Sequence, residues 1–377
     1  MGSLEDFQDL DGRLKEIFKW FHSHPELSYK EYETTKKIRE ILEEEGVEIL
    51  PCGLETGLIA VIRGEKEGPI QALRCDIDAL PIQEKSGLSY ASVYPGKMHA
   101  CGHDFHITVG IGCALLLKER RKELSGTVKI IFQPAEETAL GALKILETDV
   151  MTDVQRIWGI HADPTNEVGT IGIREGAVTA AVDRFVVTVK GVGCHGAHPD
   201  DGKDPVPAAA AMVQAFQTIV TRDINAFHPA LLSVTRIQAG NTWNVIPETA
   251  QLEGTVRTMD KKDRQLVQQR IREIAEYTAL GYGMNAEVEW IAASPETIND
   301  EEMVEICREK ALKMNLQVVP EERSMGGDDF SFLEEQIPGC YIKIGTGKGQ
   351  LIHQPGFAVD VKAVMITVEY MAGLLGI

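Results

Sequence analysis

The sequence predicts an α/β fold in which a smaller module is inserted into an open-sheet domain. Three observations predict it. The chain has 377 residues, which is more than a single hydrophobic core usually holds. Several apolar runs of strand type each end at a polar side chain. The segment 183–291 instead follows the order strand, helix, strand, strand, helix, strand.

The first third of the chain combines helices with short buried strands. Apolar residues at helical spacing predict helix over 4–45, broken at His24-Pro25-Glu26. Runs rich in leucine, isoleucine and valine predict strands at 58–62 and 70–74. Another helix is expected over about 107–120.

Four predicted strands end next to side chains that bind metal ions well. They run into Asp76 and Asp78, into Glu136-Glu137, into His161, and into a glycine-rich loop that reaches His353. In open α/β sheets, ligands bind outside the carboxyl ends of the strands. We therefore expect these side chains to share one site.

The middle of the chain has the pattern of a ferredoxin-like βαββαβ module. Its predicted strands are 183–190, 231–238, 249–258 and 285–291, and its predicted helices are 207–221 and 260–280. The predicted division is therefore a first domain of residues 1–180 plus 294–377 and an inserted domain of residues 181–293.

Composition excludes several classes of function. Hydrophobic residues at 44% and charged residues at 25% are typical of a globular protein. The net charge of -19 would repel phosphate backbones and anionic lipid, which argues against nucleic acid and membrane surfaces as partners. The first residues lack the basic and apolar regions of a signal peptide. Seven scattered cysteines predict free thiols and a cytoplasmic location.

The most specific metal-binding pattern is Cys101-Gly102-His103. Two ligands separated by one residue can contact one ion from a turn, and the glycine between them leaves room for it. A thiolate and an imidazole suit Zn²⁺. Taken alone, the pair also fits a buried thiol beside a surface histidine. His106 is expected to support the start of the following helix.

The pair Glu136-Glu137 supplies two carboxylates that cannot point the same way. We assign Glu137 to the metal and Glu136 to proton transfer as a general base. The structural alternative is an acidic pair favoured by the dipole of a helix start. Asp76 would accept a hydrogen bond from a ligand imidazole and fix its tautomer, or would cap a turn.

A longer set of motifs resembles a known superfamily over nearly the whole chain. The motifs are His22-Ser-His-Pro-Glu-Leu-Ser28, Arg74-Cys-Asp-Ile-Asp-Ala-Leu-Pro-Ile-Gln83, Met98-His-Ala-Cys-Gly-His-Asp104, Phe132-Gln-Pro-Ala-Glu-Glu137, Asn244-Val-Ile-Pro247, Gly254-Thr-Val-Arg257 and Gly326-Gly-Asp-Asp-Phe330. The chain resembles the metal-dependent amidohydrolases of the aminoacylase and carboxypeptidase G superfamily. Its branch is similar to the auxin-conjugate (IAA-amino acid) hydrolases, hippurate hydrolases and N-acyl-amino-acid deacetylases.

The resemblance implies an open α/β metallopeptidase-like catalytic domain with an inserted ferredoxin-like lid or dimerisation domain. It implies two divalent metal ions per subunit, Zn or Mn with Ni or Co as alternatives, and a homodimer. The metal ligands it implies are Cys101, His103, Glu137, His161 and His353. Glu136 resembles the general base and Asp76 the orienting acid. Arg74 stands where related peptidases carry a histidine.

The resemblance also implies substrate contacts. His195 resembles a histidine that stabilises the oxyanion, and Asn244 and Arg257 resemble groups that bind the substrate carboxylate. Gly326 and Asp328 are expected to contact substrate as well. Asp328 is one methylene shorter than the glutamate of most relatives, which leaves the acyl preference open.

Three functions fit these residues. The first is hydrolysis of the amide bond of an N-acyl amino acid or a similar small conjugate. The second is a dipeptidase or carboxypeptidase of the same superfamily. The third is an inactive metal-containing binding protein, which would have no need of Glu136 beside Glu137.

Overall fold

The computed structural model describes residues 4–377, with side chains described from residue 9 onward. The first residues are predicted not to form a signal peptide, and residues 1–3 of that segment lie outside the described range. The chain divides into two compact units. Unit 1 comprises Met1–Val178, Thr297–Glu322 and Asp328–Ile377, and unit 2 comprises Thr179–Glu296 and Arg323–Gly327. Residues 323–327, which the sequence placed in the first domain, thus group with the inserted one.

The helices and strands are numbered separately in chain order. The helices are α1 (Leu4–Ser23), α2 (Tyr32–Glu44), α3 (His103–Glu119), α4 (Gly141–Leu146), α5 (Pro205–Thr218), α6 (Lys261–Gly281), α7 (Glu301–Lys313), α8 (Phe330–Glu334) and α9 (Lys362–Leu374). The strands are β1 (Glu48–Leu50), β2 (Leu58–Arg63), β3 (Lys66–Asp76), β4 (Ser125–Gln133), β5 (Arg156–Asp163), β6 (Thr170–Ile173), β7 (Gly176–Thr179), β8 (Ala181–Lys190), β9 (Cys194–His195), β10 (Ala230–Ala239), β11 (Val245–Ile246), β12 (Thr249–Thr258), β13 (Asn285–Ala292), β14 (Thr297–Asn299), β15 (Gln317–Pro320) and β16 (Gly339–Gly345).

An eight-stranded mixed sheet forms the centre of unit 1. Its strand order is β1-β2-β4-β3-β5-β16-β6-β15. The central strands β4, β3, β5 and β16 are parallel to one another. These are the four strands that the sequence predicted to end at metal-binding side chains, so their carboxyl ends lie at one edge of the sheet. The predicted open α/β fold is confirmed.

Helix α3 lies in the core of unit 1. Every residue from His103 to Leu117 is buried, because α3 packs against β3 on one side and against α1 and α9 on others. The helix begins four residues earlier than the apolar periodicity predicted. Gly102 takes a left-handed conformation directly before it, which turns the chain so that His103 becomes its first helical residue.

Unit 2 has the predicted ferredoxin-like topology. Its antiparallel four-stranded sheet has the order β10-β12-β8-β13, and α5 and α6 pack against it. Alternate residues of β8 (Phe185, Val187 and Val189) are buried in the core of this unit. Both helices begin at a capping aspartate: Asp204 accepts from the N–H of Val206, and Asp260 accepts from two N–H groups of the first turn of α6.

The structure also shows the state of the cysteines and the length and polarity of the helices. All seven cysteines are free thiols. Within residues 4–377, every helix is too short or too polar to cross a lipid bilayer.

Candidate metal centre

Five predicted ligands fall into two groups that share one residue. The first group is Cys101, His103 and His161, and the second is Cys101, Glu137 and His353. Within each group the potential ligand atoms lie within 4.8 Å of one another. The sulfur of Cys101 lies 3.4 Å from Nε2 of His161, and Nε2 of His353 lies 3.5 Å from Oε1 of Glu137. The two groups would hold two cations, and Cys101 belongs to both groups.

Local backbone geometry places these ligands. Gly102 has φ of 85°, and a Cβ at this position would lie 2.7 Å from Cβ of Ala162, so only glycine fits between Cys101 and His103. His353 also has a positive φ, of 64°. Its N–H donates to the carbonyl of Ala100 at 2.7 Å, which holds the C-terminal loop beside Cys101.

The histidine tautomers leave nitrogens available for metal ions. His103 donates from Nδ1 to the carbonyl of Asp78 at 2.8 Å, and His161 donates from Nδ1 to the carbonyl of Ala162 at 2.8 Å. In the neutral imidazole each Nε2 therefore carries the free lone pair, and it faces the cluster. Nε2 of His103 and Oε1 of Glu137 are buried without a hydrogen-bond partner among the described residues. Buried polar atoms are rarely left so, and a cation in each group would satisfy them.

The chemistry of the donors also fits a metal ion. Burial raises the pKa of the Cys101 thiol above its usual range, so the thiol stays protonated in the absence of a cation. A divalent ion replaces the thiol proton directly. A thiolate, imidazoles and one carboxylate together accept Zn²⁺ and other borderline divalent ions.

Asp78 has a positioning role that sequence reasoning missed. Its carboxylate accepts the N–H groups of Glu136 and Glu137, both at 3.1 Å, and the hydroxyl of Ser28 at 2.7 Å. Its carbonyl accepts from His103. One residue thus fixes the general-base candidate and two ligand candidates. The strand-end argument had included Asp78, which follows two residues after the end of β3 at Asp76, but gave it no role of its own.

Asp76 is hydrogen bonded to a histidine outside the predicted ligand set. Its Oδ1 accepts from Nδ1 of His106, while its Oδ2 lies 3.5 Å from Nε2 of His103. His106 also accepts the N–H of Ala162 at 2.9 Å, so both of its nitrogens are engaged. His106 therefore connects β3 to the residue after His161, in line with its predicted supporting role.

Glu136 is placed for proton transfer. Its Oε2 lies 3.9 Å from Nε2 of His103, and its carboxylate lies in a group with Asp328 and Asp329. Burial, and then the charges of Asp328, Asp329 and Glu137, raise the pKa of Glu136 well above its usual range. A carboxyl group with this environment can hold a proton near neutral pH.

A buried arginine neutralises the neighbouring acids. Arg74 is fully buried, and its guanidinium contacts Asp76 at 2.5 Å, Asp329 at 2.6 Å and Asp328 at 3.1 Å. It also donates to the side-chain carbonyl of Gln133 at 3.0 Å. The guanidinium of Arg74 therefore has a hydrogen-bonding or ionic partner on each of its sides. Where the sequence resemblance leads us to expect a histidine, this chain has a permanent positive charge.

The first turn of α3 has its own electrostatic support. His22 is buried and donates to Asp104 at 2.6 Å and to Glu84 at 3.1 Å. Burial alone would lower the pKa of His22, but the hydrogen bonds to Asp104 and Glu84 outweigh it and raise the pKa to about 9. His22 is therefore an imidazolium ion that holds the residue after His103 in place.

Four of the five predicted substrate contacts lie in unit 2. His195 is exposed on β9, which pairs with β11, and the next residue, Gly196, donates to the carbonyl of Asn244 at 2.8 Å. His195 and Asn244 are therefore neighbours. Arg257 lies half-buried on β12, and Gly326 lies in the segment 323–327.

The remaining predicted contact, Asp328, belongs to unit 1. It is 4% exposed. Its carboxylate accepts the hydroxyl of Tyr341 at 2.7 Å and the N–H of Phe330 at 2.8 Å, in addition to the contact with Arg74. These contacts hold Asp328 rigidly beside Glu136, and they account for most of its hydrogen-bonding capacity.

Comparison with known proteins agrees with this geometry. Residues 72–376 match Peptidase family M20/M25/M40. The chain is 47% identical over 363 residues to N-acetylcysteine deacetylase of Bacillus subtilis (strain 168), covering 96% of each chain. It is 36% identical over 346 residues to IAA-amino acid hydrolase ILR1-like 4 of Arabidopsis thaliana, covering 88% of this chain and 78% of the relative.

A solved structure extends the likeness to three dimensions. The Bacillus subtilis YXEP protein, described as a dinuclear metal-binding peptidase from the M20 family, is 45% identical. It superimposes with a TM-score of 0.89, covering 98% of each chain. The matched residues span nearly the whole chain, the folds agree, and the predicted branch includes the plant and bacterial relatives. The chain belongs to the M20/M25/M40 family of peptidases.

Proposed function

We propose that the protein hydrolyses the amide bond of N-acyl amino acids or similar small conjugates, releasing a carboxylic acid and an amino acid. The observation that carries the proposal is Glu136, a carboxyl group that is only 11% exposed and lies next to two ligand groups that share Cys101. Relatives named as an N-acetylcysteine deacetylase and an IAA-amino acid hydrolase support the substrate class.

The two ligand groups would hold two divalent metal ions per subunit. Cys101, His103 and His161 would hold one ion, and Cys101, Glu137 and His353 the other. When bound, the ions supply Lewis-acid activation of the attacking water and of the amide carbonyl. Zn or Mn, with Ni or Co as alternatives, fit a mixed set of sulfur, nitrogen and oxygen donors.

Glu136 acts as the general base and then as the general acid. It takes a proton from the attacking water and passes it to the leaving amine nitrogen. The buried acids around Glu136 favour its protonated form, which helps it to hold the proton between the two transfers. Asp78 fixes the backbone of Glu136, and Asp76 fixes His106, so the base and its surroundings move little during the reaction.

Four residues of unit 2 and Asp328 of unit 1 supply the remaining contacts in this proposal. His195 stabilises the oxyanion, while Asn244 and Arg257 bind the substrate carboxylate. Gly326 and Asp328 shape the acyl pocket, Asp328 through its contacts with Tyr341 and Arg74. The neighbouring positions of His195 and Asn244 on β9 and beside β11 support a shared role.

The decisive experiment replaces Glu136 by glutamine, which keeps the shape of the side chain and removes its basicity. Turnover of acetyl-, benzoyl- and indoleacetyl-amino acids should fall by roughly 10²–10⁴-fold, while the metal content stays that of the wild type. Dipeptides in the same panel test for peptidase activity. Wild-type turnover by the variant, or preference for free dipeptides, would contradict the proposal. Absence of turnover with Zn, Mn, Co and Ni would favour a binding protein instead.

We also propose a homodimer formed through unit 2. Strand β10 is at the edge of the four-stranded sheet, and large apolar residues on or near it are exposed, among them Ile237 (57%) and Trp243 (95%). Trp243→Ser should shift sedimentation towards the monomer, whereas Tyr277→Ser, an exposed change on α6, should not. Equal sedimentation of both variants and the wild type would contradict this interface.

The seven free thiols support a cytoplasmic location.

A further inference from the structure

Lys343 lies directly beside a metal-ligand candidate. In the parallel pairing of β16 with β5, Lys343 is the register partner of His161. Side chains alternate along a strand, so Lys343 and Tyr341 extend from the same face of β16. The ring of Tyr341 lies 6.0 Å from the ring of His161. Lys343 therefore lies on the face of the sheet that carries the candidate centre.

The ammonium group of Lys343 lies over an aromatic ring, and its charge acts on both His161 and Glu321. Its Nζ lies 5.2 Å from the centroid of the Tyr341 ring. Glu321 is also close, because its carboxylate and Cβ of Lys343 both lie against Gly172. Burial raises the pKa of Glu321 to about 7. Among the described side chains, no carboxylate oxygen lies within 4.0 Å of Nζ of Lys343.

Lys343 differs from Arg74 in its contacts with carboxylates. Arg74 contacts three carboxylates and a glutamine, so its charge is satisfied within the protein. Lys343 is half-buried and has an aromatic face, and although the charge of Glu321 acts on it, it makes no ion pair with that carboxylate. A partly desolvated ammonium without an anion in contact is costly, and a ligand can provide that contact.

We infer that Lys343 binds a carboxylate of the substrate and is a specificity-determining residue of this site. The inference rests on the proposed function. It adds that the substrate carries a carboxylate, which a residue of unit 1 binds. Two carboxylates fit this chemistry: the α-carboxylate of the amino acid, or a carboxylate at the far end of a dicarboxylic acyl group. Both would form a charge-assisted hydrogen bond with Nζ.

The test compares three substrates that differ in where they carry a carboxylate. N-acetyl-L-alanine has only the α-carboxylate, N-succinyl-L-alaninamide has only the acyl carboxylate, and N-acetyl-L-alaninamide has neither. The variants are Lys343→Met, Lys343→Arg and, as a matched control, Lys348→Met, whose ammonium is exposed and lies 3.7 Å from Glu167. All are assayed as metal-loaded full-length protein, for kcat and KM separately.

The inference predicts a selective effect. Lys343→Met should raise KM roughly tenfold or more for one carboxylate-bearing substrate and leave the uncharged substrate within about twofold, because a hydrogen bond to a charged group is lost. Lys343→Arg should restore most of the affinity, and Lys348→Met should match the wild type. Which substrate responds identifies the carboxylate. Calorimetric binding of the same substrates to Glu136→Gln, with and without Lys343→Met, should give the same selectivity without turnover.

Two outcomes would overturn the inference. Equal changes for all three substrates would mean that Lys343 has a structural role, and unchanged KM and binding would mean that it contacts no substrate. A wild-type enzyme that hydrolyses none of the N-acyl substrates would contradict the proposed function instead. The two failures are therefore distinguishable.

Discussion

Replacing Gly102 by alanine is expected to destabilise the protein and lower its metal content together. The new Cβ would lie 2.7 Å from Cβ of Ala162 and 3.4 Å from Cζ of Phe357. The left-handed backbone costs a non-glycine residue about 1–2 kcal/mol. Overpacking at a buried contact costs about 1–3 kcal/mol more. The free energy of unfolding should therefore fall by about 2–5 kcal/mol.

The metal content should fall because Ala162 is tied to two histidines. It follows His161 in the chain, and its N–H donates to Nε2 of His106. Any displacement of Ala162 by the new methyl group moves the imidazole of His161 relative to Cys101. Metal sites tolerate little displacement of their ligands, so the affinity for the ion held by His161 should fall.

A matched control separates backbone strain from crowding. Gly53 also has a positive φ, of 71°, but a Cβ there meets no heavy atom within 4 Å. Gly53→Ala should cost only the backbone term of about 1–2 kcal/mol and retain its metal. Urea unfolding and elemental analysis of both variants measure the two effects. Equal losses of stability, with full metal content in Gly102→Ala, would refute the reasoning.

Three further predictions follow from buried polar groups and from the candidate centre. The pKa of His22 is raised to about 9, so its stabilising effect is complete below pH 6.5 and is lost as the pH rises through 9. His22→Gln should remove about 3 kcal/mol of pH-dependent stability between these values, measured by urea unfolding across this pH range. Tyr341→Phe removes the hydrogen bond to buried Asp328 and should lower the free energy of unfolding by about 1–2 kcal/mol in urea titrations; a smaller loss would mean that Asp328 finds another donor. A chelator should lower the melting temperature, since free metal at about 1,000 times its Kd contributes about 4 kcal/mol; an unchanged melting temperature would mean that metal adds nothing to stability.

Much of the fold could be predicted because its signals are local. The βαββαβ order of unit 2 follows from alternation and helical periodicity in consecutive segments, and the sheet order β10-β12-β8-β13 confirms it. The strand-end argument identified β3, β4, β5 and β16 for the same reason. The predicted metal-ligand roles of Cys101 and the four other residues stay predictions, which the geometry supports.

What could not be predicted depends on contacts between distant segments. The polar contacts of Arg74 join residues 76, 133, 328 and 329, and no spacing rule relates these positions. The carboxylate of Asp78 accepts from backbone N–H groups of Glu136 and Glu137, and such partners leave no mark on residue type. The start of α3 was placed too late because the left-handed turn at Gly102 replaces the usual capping residue.

Sharing one sulfur between two cations would make their loading interdependent. Cys101 would lose its thiol proton once, when either ligand group is filled, so the other group would then contain a ligand that is already ionised and held in place. Each ion would then raise the affinity for the other by the same factor. Metal titrations of the apoprotein should accordingly be steeper than those of two independent sites, and half-loaded molecules should be scarce.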